Sequence, residues 1–398
     1  MINQIRHKRT FVKGALYGAL AAFLTCAVIF TGLILTGKIS IYTGAISAGT
    51  AKKAQQLERL IESQYLYPED IKENTQQDLS LKGYVASLGD PYSSYYNQEE
   101  TKELLQSSEG EYAGIGALMS QDPETGEIKV EEVYEDSPAK KAGMKKGDIF
   151  YAIDGEALEE EPLSDVVSKV KGEEGTKVTI TVLRESNKVE LEITRGIVEN
   201  HTVTAEMKDD GIGYLKISEF DNVTYKQFQD GLSELEEQGM KGLVVDLRDN
   251  PGGNLTTVCE ILDLILPEGT IVYTEDKNGK RIDTEKSDEE HQFTKPLAVL
   301  VNGNSASASE IFTGAVQDYE VGTIVGTKTF GKGIVQTIFP LRDGSSVKLT
   351  TAQYFTPDGR SIHKKGITPD VEVEYEKAEN GTDNQLEKAL DVIKGEIK

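Results

Sequence analysis

The sequence has few of the side chains that bind metals or form disulfides, with two cysteines and four histidines among 398 residues. Cys26 lies inside an apolar run and Cys259 stands alone, so we expect no disulfide. The histidines lack the spacing of metal ligands. They are His7, His201, His291 and His363. The sequence therefore predicts no metal site.

Basic side chains are also scarce. The chain carries 43 Lys and Arg against 67 Asp and Glu, a net charge of −24 at pH 7. An acidic surface repels phosphate groups, so nucleic acid is not an expected partner. A chain of this length with 38% hydrophobic residues can bury more than one core, so we expect two or three domains.

Charged residues are absent from Gly14 to Gly37. As a helix, this run spans about 36 Å, more than the hydrocarbon core of a bilayer. Residues 1–13 hold basic but no acidic side chains, so the positive-inside rule keeps them in the cytoplasm. A cleavable signal peptide has a shorter apolar region, about 7–15 residues. We therefore predict an uncleaved single-pass transmembrane anchor at 14–37, with the rest of the chain extracytoplasmic.

The next two regions differ in their periodicity. Residues 38–106 include Leu57, Leu60 and Ile61 at helical spacing, which predicts a helical arm. Residues 107–196 alternate short β-branched runs with glycine turns, which predicts a small β-rich domain. The predicted strands are Ile128–Val133, Val178–Leu183 and Val189–Ile193.

Residues 197–375 repeat apolar strands followed by glycine-rich loops and helices, which predicts an α/β core. Two of its strands are predicted at Gly242–Leu247 and Leu297–Asn302. Residues 376–398 form a tail with one apolar stripe, which predicts a terminal helix. The stripe consists of Leu386, Ala389, Leu390 and Ile393.

An ordered set of motifs marks the β-rich region. Gly114-Ile115-Gly116 allows a sharp backbone turn that presents N–H groups to a peptide carboxylate. Alone, this motif indicates only a turn, and an apolar stripe alone indicates only a core face. The motifs that follow are Ser137-Pro138-Ala139, Gly147-Asp148-Ile149 and the helical stripe Leu163, Val166, Val167 and Val170. Together they resemble a PDZ domain of the type found in bacterial proteases.

The PDZ resemblance implies a binding site for protein C-termini. An extended peptide would add as a strand beside Ile115–Met119, with its last side chain against the helix that carries Val166 and Val170. Substrates should therefore end in apolar side chains. The peptide-binding residues implied are Gly114, Ile115, Gly116, Val166 and Val170.

Three segments of the α/β region carry candidate chemistry. The strand that ends at Leu247 leads into the loop 248–253, which has no bulky side chain at its end, so backbone N–H groups there can face a reacting carbonyl. A second strand leads into the serine-rich turn 305–310, where a helix N-terminus stabilises a developing oxyanion. In the third, Lys332 lies between two glycines before the apolar strand Ile334–Phe339. The residues alone leave open which serine acts, or whether the turn is only a helix cap.

The whole set resembles the carboxyl-terminal processing proteases, the Ser/Lys peptidases related to tail-specific protease. The likeness spans nearly the whole chain after the anchor, and the motifs occur in the family's order. Besides the PDZ motifs, they are Leu88-Gly89-Asp90-Pro91-Tyr92-Ser93, Asp246-Leu247-Arg248, Asn250-Pro251-Gly252-Gly253, Ser305–Glu310, Gly331-Lys332-Gly333, Tyr354-Phe355-Thr356-Pro357 and Gly366-Ile367-Thr368-Pro369-Asp370. The resemblance implies an α/β, crotonase-like protease core with an inserted PDZ domain.

The resemblance also implies a role for each matching position. The serine followed by Ala-Ser-Glu is Ser307, which becomes the nucleophile, and Lys332 becomes the general base. Gln336 would orient the lysine. The oxyanion would be bound by the backbone N–H groups of Gly253 and Ala308.

The expected function is therefore that of an extracytoplasmic serine endopeptidase. It would recognise apolar C-terminal tails through the PDZ domain and cleave proteins through an acyl-enzyme, without a cofactor. The family implies a bacterial membrane, with the catalytic body at the cell surface or between two membranes. It also suggests that the arm and terminal helix support a homodimer.

Two alternatives come from other functional classes. A PDZ scaffold that binds tails without cleaving them requires a degenerate core, whereas the pattern of Ser307, Lys332 and Gln336 is complete. A hydrolase with a Ser/His/Asp triad is the second. Its base would be a histidine outside the motifs above, namely His201, His291 or His363.

Overall fold

The computed structural model describes residues 48–67, 72–123, 125–158, 161–376 and 381–397. The predicted anchor at 14–37 lies outside these ranges. Within them, no helix combines the length and the apolar character needed to cross a bilayer. The chain divides into two compact units, one ending at Gln77 and the other beginning at Asp78.

The arm region is mainly helical, as predicted. Its elements are α1 (Ala48–Gln64), α2 (Glu73–Ala86), β1 (Ser94–Tyr96) and α3 (Gln98–Glu109). The Asn97 side chain accepts from the Glu100 amide, and the Glu100 carboxylate accepts from the Asn97 amide. This reciprocal capping box fixes the start of α3.

The β-rich region contains the three predicted strands. Its elements are β2 (Glu111–Gly114), β3 (Ala117–Gln121), β4 (Ile128–Val133), α4 (Pro138–Lys141), β5 (Ile149–Ile153), β6 (Glu156–Ala157), α5 (Leu163–Val170), β7 (Lys177–Arg184), β8 (Asn187–Thr194) and β9 (Gly196–Glu199). The sheet order is β3-β4-β5-β7-β8, with β6 on β5, and all pairs are antiparallel. β2 pairs with β9 separately, so the two ends of the region meet.

The α/β region follows from β10 onwards. Its elements are β10 (Val203–Lys208), β11 (Ile212–Ile217), α6 (Thr224–Glu237), β12 (Gly242–Asp246), α7 (Leu255–Asp263), β13 (Gly269–Glu275), β14 (Arg281–Ser287), β15 (Leu297–Val301), α8 (Ala308–Asp318), β16 (Thr323–Gly326), β17 (Ile334–Pro340), β18 (Ser346–Phe355), β19 (Val371–Glu372) and α9 (Asn384–Glu396). The predicted strands near 242 and 297 and the predicted terminal helix are confirmed.

The central sheet has the order β10-β11-β12-β15-β16-β19 and is parallel except for β10. Every residue of β12 and β15 is buried, which explains why their sequences are apolar apart from Asp246 at the end of β12. The two strands are neighbours, with Val245 opposite Val299. Because parallel neighbours end at the same edge, the loop 248–253 and the serine turn 305–310 leave the sheet side by side.

Helices cover both faces of this sheet. On one face, α6, α7, α8 and β13 share an apolar core. This core includes Phe228, Ile261 and Phe312. On the other face, Ala389 and Ile393 of α9 pack against Val244 and Leu300. A second sheet has the order β1-β18-β13-β14, with β17 on β18. Lys332 lies two residues before the start of β17, so this second sheet helps to position the lysine.

Candidate active site

The three serines of the turn have different environments. The Ser305 hydroxyl donates to the Leu247 carbonyl at 2.8 Å, and the Ser309 hydroxyl donates to the Asn250 carbonyl at 3.0 Å. Both side chains are fully buried. Ser307 is only partly buried. The tertiary structure therefore favours Ser307 as the reactive serine, a choice that the residues alone left open.

Ser307 has an unusual backbone conformation. Its φ of 56° and ψ of −113° lie in a region that L-residues seldom adopt, at a cost of order 1–3 kcal/mol. It occupies the N-cap position of α8, directly after the turn from β15. A strained turn of this kind between a strand and a helix projects a nucleophile out of the fold.

Glu310 connects the serine turn to the lysine loop. Its side chain is fully buried, and its Oε2 accepts the backbone N–H groups of Ser307 at 3.0 Å and Lys332 at 2.7 Å. Its Oε1 accepts the Gly331 amide at 2.8 Å and the Thr329 hydroxyl at 2.6 Å. Sequence reasoning assigned this residue no role. The spacing Ser-x-x-Glu before an apolar helix, a capping-box pattern, was the available signal.

Lys332 lies in a partly desolvated position. Burial lowers the pKa of its amine, the charge of Lys348 lowers it further, and Glu310 opposes the shift. Its Nζ is 5.0 Å from the centroid of the Tyr92 ring. A lowered pKa increases the fraction of neutral amine, which is the form that can act as a base.

Tyr354 holds the backbone of the lysine loop. Its hydroxyl donates to the Lys332 carbonyl, and the ring is 2% exposed. Burial and the nearby Glu310 charge raise the pKa of Tyr354, so the phenol keeps the proton that it donates. The lysine loop also lies close to the backbone of His363. Glycine at position 333 permits this approach, since a Cβ there would lie 2.5 Å from the backbone nitrogen of His363.

The backbone N–H groups of the 248–253 loop and of the serine turn differ in whether they already have a hydrogen-bond acceptor. The Gly252 amide is occupied, because it donates to Asn250 Oδ1 at 2.8 Å. The amides of Gly253 and Ala308 have no acceptor within the described part of the chain. A Cβ on Gly252 would lie 2.7 Å from the Ala306 carbonyl oxygen, so the loop packs directly on the serine turn. This arrangement favours Gly253 over its neighbour as an oxyanion donor.

Asn250 fixes the position of the loop 248–253. Sequence reasoning gave this residue no role of its own. The side chain is fully buried, and its Nδ2 donates to the Ile217 carbonyl at 2.9 Å. The backbone carbonyl of Asn250 accepts from the Ala306 amide at 3.0 Å and from the Ser309 hydroxyl. The residue therefore connects β11, the 248–253 loop and the serine turn.

Gln336 does not contact the lysine amine. Its Nε2 donates to the Ile334 carbonyl at 3.4 Å, and no hydrogen bond joins it to Lys332 among the residues described. A register shift in the pairing with β18 falls between Val335 and Gln336. Such a bulge re-aims a side chain. The expected contact with the lysine is therefore not present in this conformation.

Two of the three histidines considered as alternative bases, His201 and His363, have different environments. His201 stacks on Tyr134, with ring centroids 4.1 Å apart. His363, in contrast, packs beside the lysine loop, although it lies outside the motifs in the sequence. Burial lowers the pKa of His363, and Lys364 lowers it further. Its Nδ1 is buried and has no partner in the described part of the structure.

The fold brings three potential metal ligands together at the surface. Ligand atoms of Asp263, Asp288 and His291 lie within 4.8 Å of one another. The His291 and Asp288 side chains are about half exposed. The sequence gave no sign of this grouping because Asp263 comes from a different element, the end of α7.

The predicted peptide groove differs in detail from the expectation. Gly116 has a φ of 75°, and β3 begins at Ala117, after Ile115. Among the described strands β3 pairs only with β4, so its other edge can accept a peptide. Val166 and Val170 are only 0% and 3% exposed. Their side chains therefore belong to the apolar core of this region and do not form an open groove wall.

Comparison with protein families gives two matches. Residues 211–373 match the model of peptidase family S41, and residues 129–184 match a PDZ domain. The first match contains the serine turn and the lysine loop. The second contains most of the β-rich sheet and α5.

Curated relatives match over most of the chain. The carboxy-terminal processing protease CtpA of Bacillus subtilis is 37% identical over 347 residues, covering 86% of this chain and 73% of the relative. A carboxyl-terminal-processing protease of Synechocystis sp. is 36% identical over 329 residues, covering 80% and 77%. A solved putative S41 protease from Bacteroides fragilis covers 90% of this chain and 99% of its own, with a TM-score of 0.53 and 17% identity. That likeness concerns the fold alone.

Proposed function

Because the chain belongs to the carboxy-terminal processing proteases of peptidase family S41, and is thus a serine-type peptidase, we propose that Ser307 and Lys332 form its catalytic dyad. The observation that carries this proposal is the position of Glu310. One buried carboxylate oxygen accepts the backbone amides of both residues, which holds the serine turn against the lysine loop.

The proposed reaction is acyl transfer. Neutral Lys332 accepts the proton of the Ser307 hydroxyl, whose oxygen attacks the carbonyl carbon of the scissile peptide bond. The amides of Gly253 and Ala308 bind the oxyanion. The lysine then gives its proton to the leaving amine, and water attacks the acyl-enzyme to release the new C-terminus and regenerate the serine. The reaction needs no cofactor.

The test of the dyad uses the purified full-length chain in detergent. The substrate is a stable protein that carries an unstructured, apolar C-terminal tail, and products are identified by mass spectrometry. Ser307→Ala and Lys332→Ala should each abolish cleavage, whereas Ser309→Ala, in the same turn, should remain active. Cleavage by Ser307→Ala would refute the assignment of the nucleophile.

We also infer that the PDZ domain presents protein C-termini to the dyad. This proposal is supported by the edge of β3 that no other described strand pairs with, and by the glycine turn 114–116 in front of it. Because Val166 and Val170 are buried, the peptide's last side chain would contact the exposed parts of Leu163 and Val167 unless α5 moves. The groove residues Gly114, Ile115, Gly116, Val166 and Val170 stay predictions.

The membrane anchor, the extracytoplasmic location and a homodimer also stay proposals. The uncharged run 14–37 after a basic segment supports the anchor, and the bacterial relatives are compatible with an extracytoplasmic body. Protease added outside sealed protoplasts should digest the body, and a fully protected body would reverse the orientation.

The domain limits and the crotonase-like description of the core stay predictions. The limits are 38–106 for the arm, 107–196 for the PDZ domain, 197–375 for the peptidase core and 376–398 for the tail. The parallel sheet covered by helices on both faces supports an α/β core of that kind.

A further inference from the structure

The connection between β11 and α6, residues 218–223, runs alongside the loop that carries Gly253. Phe220, in this connection, forms a parallel β-bridge with Gly253. The Phe220 amide donates to the Gly252 carbonyl at 2.9 Å, and the Phe220 carbonyl accepts the Asn254 amide at 2.6 Å. The residues on both sides of Gly253 are therefore bonded to one residue of the connection.

This bridge determines the direction of the Gly253 amide. In a parallel pair, a residue whose two chain neighbours bond across the pair directs its own N–H and C=O to the opposite side. The Gly253 amide accordingly faces away from Phe220, and it has no acceptor within the described part of the chain. A Cβ on Gly252 would lie 2.9 Å from the Ala308 amide nitrogen. The bridge therefore orients one proposed oxyanion donor, in a loop that contacts the other.

Only glycine allows the loop to approach the connection this closely. Gly253 has a φ of 142°, and a Cβ there would lie 2.3 Å from the carbonyl oxygen of Phe220. Any other residue would force the two segments apart. A small displacement of Phe220 is therefore transmitted directly to the Gly253 backbone.

A buried hydroxyl holds Phe220 from its other side. Thr224, the first residue of α6, is fully buried, and its Oγ1 donates to the Glu219 carbonyl at 3.1 Å and accepts the Asp221 amide at 2.9 Å. These two groups belong to the peptide units on either side of Phe220. The opposite ends of the same units bond the residues before and after Gly253. One hydroxyl therefore fixes the rotation of both peptide units.

The Thr224 hydroxyl has a third partner, the Thr202 hydroxyl, at 2.7 Å. Because the single proton of Thr224 goes to Glu219, Thr202 is the donor in this bond. Thr202 is 2% exposed, and its backbone amide donates to Gln227 Oε1 at 2.9 Å. All these groups lie inside the fold, so loss of the Thr224 hydroxyl would leave buried polar groups unpaired.

We propose that Thr224 is a positioning residue for catalysis, whose hydroxyl holds the two peptide units of Phe220 and thereby aims the Gly253 amide at the oxyanion. The inference rests on the proposed dyad and its oxyanion donors. Because the oxyanion forms only after the nucleophile attacks, Thr224 should influence the transition state more than the binding of substrate.

The first test replaces the hydroxyl with a methyl group of similar size. Thr224→Val should lower kcat for peptide cleavage about 10- to 100-fold and change KM by less than about threefold. Thr224→Ser, which keeps the hydroxyl, should retain most of kcat. Thr101→Val is the matched control, because Thr101 is also buried and its hydroxyl bonds the Tyr96 carbonyl and Ser346, on the arm and β18. Unchanged kcat in Thr224→Val would refute the positioning role.

Inhibition by a peptide aldehyde separates this role from general damage to the fold. The Ser307 oxygen bonds the aldehyde carbon and the hydroxyl proton passes to Lys332, which leaves a tetrahedral oxyanion on the enzyme without bond cleavage. Thr224→Val should raise Ki by about the same factor as it lowers kcat/KM. Added to Ser307→Ala, it should change the Kd of a C-terminally amidated substrate peptide less than about threefold. Equal losses in Ki and Kd would contradict the proposal.

A second variant covers the case in which Thr224→Val does not fold. Thr224→Cys resembles Thr224→Ser in size, but its thiol is a weak hydrogen-bond partner. Its kcat should be about tenfold lower than that of Thr224→Ser, and equal kcat for the two would refute the role of the hydroxyl. Absence of cleavage by the unmodified protein would instead refute the proposed protease function.

Discussion

Glu310 Oε2 accepts the backbone amide of Lys332 at 2.7 Å, although the two residues are 22 positions apart. The same oxygen accepts the amide of Ser307, so the separation of the two proposed catalytic residues depends on one buried side chain. Four donors surround a carboxylate that has no exposure to water. Removal of its charge should disturb the site more than it disturbs the fold.

Glu310→Gln is the substitution that tests this relationship. The glutamine has the same shape, but its NH2 group would face an N–H or O–H donor and leave it unsatisfied, at a cost of about 1–3 kcal/mol. We expect kcat/KM to fall roughly 10- to 100-fold, mainly through kcat, with a smaller decrease in Tm. Glu237→Gln, at an exposed position of α6, is the control. Unchanged peptide cleavage by Glu310→Gln would show that the clamp is dispensable.

Activity should increase with pH because the proposed base is a neutral amine. The pKa of Lys332 is lowered by burial, so kcat/KM should rise through an apparent pKa below the ordinary value of about 10.4. Lys332→Arg should be inactive although folded, because a guanidinium stays protonated. A mechanism based on His363 predicts instead a limb near or below about 6.5 and activity in Lys332→Arg. The measurement is the pH profile of both proteins and of His363→Gln.

The same pKa shift predicts an effect on stability. A lysine whose folded-state pKa is below its unfolded value destabilises the folded state wherever the amine is protonated, and this cost disappears as pH rises through the two values. Lys332→Met should therefore raise the midpoint of urea unfolding at pH 7, by an amount that shrinks above pH 10. An equal effect at both pH values would indicate that packing, and not charge burial, is responsible.

Arg248 should stabilise the docking of the terminal helix. It donates to Asp246 at 2.6 Å, to Asp383 at 3.0 Å and to Gln385 at 3.1 Å, and Asp246 is 1% exposed. Arg248→Met would leave a buried carboxylate without its counterion, which costs about 3–5 kcal/mol. We expect a lower urea midpoint and faster amide hydrogen exchange in α9.

The control for this prediction is Lys177→Met. Lys177 also forms an ion pair, with Glu192, but both side chains are exposed to solvent, at 61% and 63%. Exposed pairs contribute about 0–1 kcal/mol, so this variant should unfold near the unmodified protein. Equal stability of the two variants would remove the proposed role of Arg248.

Recognition of the C-terminus should depend on the last side chain of the substrate. Changing this residue from Val to Asp should lower kcat/KM, because a charge placed on the apolar surface beside α5 must be desolvated. The same change five residues upstream serves as the control. Equal kcat/KM for substrates that end in Val and Asp would exclude selection by the PDZ domain at this position.

Local pattern determined the elements and their order. β12 and β15 were predictable because strands buried on both faces are mostly apolar, and α9 was predictable from its apolar stripe. The motifs also indicated the segments to which we assign the proposed chemistry, since a glycine-rich loop and a strand-to-helix turn have backbone requirements that few residues meet. These are properties of neighbouring residues, so the sequence alone contains them.

Tertiary packing decided how those segments meet. Glu310 finds its partners at Thr329, Gly331 and Lys332 only because β16 and β17 return the chain to the start of α8. Packing also explains two other differences from the expectation. Val166 is buried in the apolar core of its domain, and the side chain of Gln336 is re-aimed by a shift of strand register. Ser307 differs from Ser305 and Ser309 because distant carbonyls occupy the other two hydroxyls. Hydrogen bonds across tens of residues depend on which strands become neighbours, and local sequence does not specify that.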